Sequence, residues 1–107
     1  MKLVYAIVNN DDTYAVNKGL QKAGIRATKL SSTGGFLMAG NTTFMIGTED
    51  DKVDEAVEVI SKHSKRRTQM APSSAMYGVG VYSSLPVEVT VGGATIFVLN
   101  VERFEKI

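Results

Sequence analysis

At 107 residues, 44% of them hydrophobic and 21% charged, the chain has room for one domain whose single core closes with little to spare. That length excludes an enzyme with a separate substrate domain, and the composition excludes disorder as the default state. A formal net charge of +1 leaves no chain-wide footprint for a nucleic-acid polymer or an anionic membrane, and the absence of cysteine removes any disulfide framework or thiolate metal site.

Leu3 to Val8 is an unbroken apolar run ended by Asn9-Asn10-Asp11-Asp12, which predicts a central strand covered on both faces. The run is too short for a signal peptide or a membrane span, and the expected location is the cytoplasm. Asp11 or Asp12 is expected to cap a helix whose buried stripe is Val16, Leu20 and Ala23, with Gly24 as its left-handed terminator. Two strand-like runs follow, Ile25 to Ser31 and Asn41 to Gly47, joined by a loop that opens with Thr33-Gly34-Gly35 and closes with Gly40-Asn41. The loop tip carries Phe36, Leu37 and Met38, apolar groups that cost free energy in water unless something covers them.

Thr48-Glu49-Asp50-Asp51 resembles a capping box, and Val53, Ala56, Val57 and Ile60 form the apolar stripe of a second helix ending in cations. From Thr68 to Leu85 the periodicity disappears among prolines, serines and glycines, and a loop of this length in so small a domain is functional or disordered. Val87, Val89 and Val91 alternate with polar residues, Gly92-Gly93 marks a turn or bulge, and Ala94 to Val101 is a final apolar run. Phe104 and Ile107 in the tail are expected to pack on a neighbouring surface. The order is strand, helix, strand, strand, helix, strand, with one strand added before the last: an α+β, ferredoxin-like βαββαβ sandwich. Helices then cover one sheet face only, and Leu30, Phe44, Val89 and Ile96 exceed what one helical layer hides, which predicts an oligomer.

Several residues have the chemistry of an anion or nucleobase site. Arg26 and Thr28, two apart on a strand, share a face and can meet one anion, although a lone strand arginine is more often a solvated charge. Gly35 lets backbone approach a ligand, and Phe36 is either a ring folded back under its own loop or an apolar surface for a ligand. Asn41 is either a turn residue or a paired donor and acceptor, and Gly47 marks a bulge or a close approach. Lys65-Arg66-Arg67 reads as a solvated helix end, and His63 stands without a second histidine or cysteine to make a metal site. No nucleophile–base pairing is present, and the acids cluster at helix starts, so no catalytic residues, cofactor or metal are expected.

The blocks Arg26-Ala27-Thr28-Lys29-Leu30, Thr33-Gly34-Gly35-Phe36-Leu37 and Gly40-Asn41-Thr42-Thr43-Phe44 together resemble the PII-like cyclic di-AMP receptor family of bacteria. So do Pro86-Val87-Glu88-Val89 and Val91-Gly92-Gly93-Ala94-Thr95-Ile96-Phe97-Val98-Leu99, and the resemblance is weakest between about Lys65 and Leu85. It implies a homotrimer with ligand clefts between subunits. Arg26 and Thr28 would hold phosphate, and Gly35, Phe36, Leu37 and Asn41 would frame adenine, with Gly47 and Phe97 near the pocket. A ligand-ordered 68–85 loop would present a surface to an unidentified downstream protein. Two positions depart from the family: Gly24, where relatives can carry a phosphate-holding asparagine, and Lys106, where relatives can offer a glutamine to the base. The runner-up is a PII-type sensor of ATP or ADP, against which the loop between the second and third strands is short. A third reading, an RNA-binding module, would need aromatic residues exposed on sheet strands, whereas the aromatics here sit largely in apolar runs.

Overall fold

Which face of each strand is buried follows from the alternation of its side chains and from the helices that follow strands one and three. The structure, a computed structural model, describes residues 1–32, 40–72 and 86–107. Its main sheet contains β1 (Lys2–Asn9), β2 (Thr28–Ser32), β3 (Asn41–Thr48) and β6 (Ala94–Asn100) in the order β2-β3-β1-β6. Every neighbouring pair in that sheet is antiparallel. Helices α1 (Thr13–Lys22) and α2 (Val53–His63) follow β1 and β3, giving the expected βαββαβ-like α+β arrangement. A second sheet, β4 (Arg67–Pro72) paired antiparallel with β5 (Pro86–Val91), stands between α2 and β6.

The core lies between the helices and one sheet face. Val4, Ala6 and Val8 of β1 and Phe44 and Ile46 of β3 pack with Val16 and Leu20 of α1 and Ala56 and Ile60 of α2, all at most 1% exposed. Phe44 is therefore sealed by the helical layer, and Ile96 packs against the same cluster, so neither belongs to the surplus apolar surface expected from sequence. The surplus is real and includes Leu30 as expected, with Phe97 and Leu99 in place of Phe44 and Ile96. Leu30, Phe97 and Leu99 are 48%, 55% and 47% exposed. The alternate residues of β1, namely Leu3, Tyr5 and Ile7, are only half-buried, so β1 is central in the sheet yet covered on one face within the chain.

The end of α1 follows from its glycine. Gly24 has φ of 74°, its N–H donates to the Gln21 carbonyl at 3.0 Å, and the Ile25 N–H donates to the Leu20 carbonyl at 2.9 Å. This is a Schellman ending, with Ile25 folded back onto the core. The helix start differs from expectation. A 3-10 turn at Asn10–Asp12 precedes α1, and the Asn9 side chain accepts from the Asp11 N–H at 2.8 Å, while neither Asp11 nor Asp12 caps α1. The buried Asp12 carboxylate instead pairs with Arg67 at 3.0 and 3.4 Å. A capping box is likewise absent before α2, where Glu49 makes no side-chain cap and Asp50 meets the N-terminal amine at 3.2 Å.

Residues 68–72, expected to belong to a long loop, are strand, and Arg67 at its start is fixed to Asp12 rather than solvated. The remainder of that expected loop, 73–85, lies outside the described residues. β2 begins at Thr28, so Arg26 precedes the strand instead of lying on it. In the tail, Ile107 stays fully exposed.

Three substitutions test this packing. Phe44→Ala should lower the free energy of unfolding by about 3–5 kcal/mol in urea titrations, the range for emptying a buried aromatic site. Gly92→Ala should destabilise, because Gly92 has φ of 84° and a β-carbon there would strike the Lys65 carbonyl. Gly47→Ala should instead stabilise by about 0.5–1 kcal/mol, since nothing lies within 4 Å of the added carbon. The reverse order for the two glycines would contradict the described turn and strand.

Candidate ligand site on the uncovered sheet face

Cross-strand pairing fixes which residues share the face that α1 and α2 leave open. Thr28 lies opposite Met45, Met45 opposite Tyr5, and Tyr5 opposite Phe97, one continuous row across all four strands. Asn41 and Gly47 have the parity of Met45 on β3 and so face the same way. Thr28, Asn41, Gly47 and Phe97, picked from sequence for separate reasons, thus lie on one face.

They are not gathered at one point of it. A depression of about 700 Å³ at one end of the sheet brings together Gly24, Arg26, Thr28, Met45, Gly47 and Phe104, with Asn17 and Gln21 reaching it from α1. Of the residues picked from sequence, Arg26, Thr28 and Gly47 line it. Arg26 is exposed there, and among the described residues it has no carboxylate partner, while no acid lines the depression. Thr28, Asn17 and Gln21 add neutral polar groups, so the local field suits an anion. Gly24 keeps the left-handed backbone that asparagine also tolerates, and the space where a β-carbon would stand is open.

Phe97 does not line this depression. Three strand spacings separate it from Thr28 along their row, roughly 14 Å. Asn41 is four residues from Met45 along β3, roughly 13 Å. It borders a second, polar pocket of about 250 Å³ with Arg66, Thr90, Gly92, Gly93 and Thr95. The chain around Asn41 is held firmly: the Asn10 N–H donates to the Gly40 carbonyl at 3.1 Å, the Thr42 hydroxyl donates to Asn10 Oδ1 at 2.7 Å, and Thr13 donates to Thr42 Oγ1 at 2.9 Å. Gly35, Phe36 and Leu37 lie outside the described residues. Lys106 is exposed and does not line the depression.

Sequence reasoning missed Phe104, Met45, Asn17 and Gln21. The signal for Phe104 was present, as a lone aromatic in the charged stretch Glu102 to Lys106, and it is 61% exposed beside Arg26 and Thr28. An aromatic ring next to an arginine and a threonine provides a stacking surface and an anion contact within one hollow. Among the described residues no group of three or more His, Cys, Asp or Glu could hold a metal ion, and no helix is long and apolar enough to cross a membrane.

These features can be set beside known proteins. A crystal structure of a functionally unknown protein from Pediococcus pentosaceus is 43% identical, with a TM-score of 0.76, and the match covers 99% of this chain and 96% of that one. The family model of the cyclic-di-AMP receptor matches residues 1–107, the whole length, and the chain belongs to that receptor family.

Proposed function

We propose that residues 1–107 form a single PII-like receptor domain, non-enzymatic and without a cofactor, that binds cyclic di-AMP in the cytoplasm as a homotrimer with clefts between subunits. The observation that carries this reading is the exposed Arg26 beside Thr28, in a hollow with no acid and with Phe104 at its edge. Arg26 gives charge-assisted bonds to one phosphate and Thr28 a neutral one, while Phe104 and the Gly35-Phe36-Leu37 segment flank adenine. The ligand has two phosphates and two bases, so residues as far apart as Arg26 and Asn41 can serve different parts of one molecule. Gly47 admits the ligand by leaving the floor of the hollow open. Phe97 belongs with the intersubunit surface, because Leu30, Phe97 and Leu99 leave an apolar sheet face that a second copy would cover.

The output follows from where the hairpin is anchored. Its base is tied to the start of α1 by Arg67 and Asp12, so a ligand that favours one conformation of the 73–85 segment shifts that segment without dislodging the base. The shifted segment changes a surface read by a downstream protein.

Calorimetric titration with cyclic di-AMP should show one ligand per chain, with cyclic di-GMP and ATP competing poorly. Arg26→Ala should weaken binding by about 1.5–3 kcal/mol, the range for a hydrogen bond to a charged group. Gly47→Leu should stay folded and lose binding by filling the hollow. Sedimentation should give three times the chain mass. Preference for ATP would favour a PII-type ATP/ADP sensor, and no binding to any of the three nucleotides would sink the receptor reading.

A further inference from the structure

The side of the helical layer that faces away from the sheet holds a groove of about 550 Å³ between α1 and α2. Its floor is small and apolar: Ala15 and Gly19 of α1, and Ala23 directly after it, face Val59 of α2. A β-carbon at Gly19 would stand 2.6 Å from the His63 ring, which would have to move to admit it. The rim is of one sign. Lys18, Lys22, Lys62 and His63 line it, α1 contains no acidic residue, and the acids of α2 (Asp54, Glu55 and Glu58) lie in its first two turns and outside the groove. Glu55 is engaged with Lys52 at 3.9 Å. Three lysines on one hollow stand out in a chain whose net charge is only +1.

We infer that this groove docks an acidic, amphipathic helical segment of a partner protein, with aliphatic side chains on the floor and carboxylates paired to the lysine rim. Charge and shape complementarity favour that occupant: an apolar floor is edged by three lysines. Nucleic acid fits less well: no arginine lines the groove, and its one aromatic, Tyr14, has Lys18 Nζ 5.5 Å from its ring centroid and bonded to its hydroxyl at 3.3 Å. A membrane surface would need several large protruding apolar groups, whereas Tyr14 is the one large exposed side chain among the lining residues. The groove and the anion-binding hollow share no residue, so this inference does not rest on the ligand assigned above.

The test uses the full chain and five probes: a fluorescein-labelled model helix with a leucine stripe and glutamates on its flanks, a polyglutamate of equal charge, the same helix with lysine for glutamate, single-stranded RNA and phosphatidylglycerol vesicles. The glutamate helix should bind with amide shifts at Ala15, Gly19 and Val59. K18E/K22E/K62E should weaken that binding at least tenfold, and so should Ala15→Glu, which alters an exposed helical position and should stay folded. Equal binding of polyglutamate, preference for the lysine helix, shifts confined to the open sheet face, insensitivity to both variants, or no binding would each overturn the inference. Tighter binding of single-stranded RNA or phosphatidylglycerol vesicles, weakened by the same variants, would overturn it in favour of those partners.

Discussion

A four-stranded antiparallel sheet has two faces, and the described part of this chain has helices for one of them. That imbalance governs the rest of the structure. On the covered side, Phe44 and Ile46 of β3 and Val4 and Val8 of β1 are removed from water, each side chain contributing about 1.5–3 kcal/mol relative to exposure. The pleat then dictates the other side without further choice. Once Phe44 and Ile46 face the helices, Thr43, Met45 and Gly47 must face away, and their cross-strand partners follow. The strand residues with ligand chemistry share this open face with the exposed Leu30, Phe97 and Leu99 because the same alternation sends both there.

Much of this was visible in the amino-acid order. Asn41 to Gly47 reads as a strand between turn residues, α1 and α2 have regular apolar stripes, and Gly24 sits where a left-handed terminator belongs. The features missed are those that depend on residues distant in sequence. Asp12 has the position of a helix cap, but its carboxylate turns to Arg67, a partner 55 residues away that no local pattern reveals. β4 reads Arg67-Thr-Gln-Met-Ala-Pro, without alternation and with a proline at its end, and is a strand because β5 lies beside it. The site shows the same division. Arg26 and Thr28 form a local pair, whereas Gly47 reaches them through the β2–β3 register, Phe104 through the path of the tail, and Asn41 is set apart along β3 by the same register.

Helix α1 is where the two sides of the molecule meet. Asn17 and Gln21 reach the hollow around Arg26, and their immediate neighbours Lys18 and Lys22 line the groove against α2. A helix that presents successive residues to two hollows moves both when it rotates or slides. Its ends are held differently: the C-terminus by the Gly24 ending, and the start by hydrogen bonds and the ion pair that reach Thr42, Gly40 and Arg67.

The Asp12–Arg67 pair has a consequence for how the hairpin responds to its surroundings. The Asp12 side chain is 7% exposed, so dissolved ions have little access to its side of the bond, while surface pairs such as Arg103–Glu105, at 79% and 57% exposure, stand fully in the ionic atmosphere. At an ionic strength near 0.15 M the screening length is about 8 Å, which dampens exposed charges far more than a shielded one. The mechanical connection between hairpin and helix is therefore less sensitive to ionic strength than the ion pairs on the protein's outer surface.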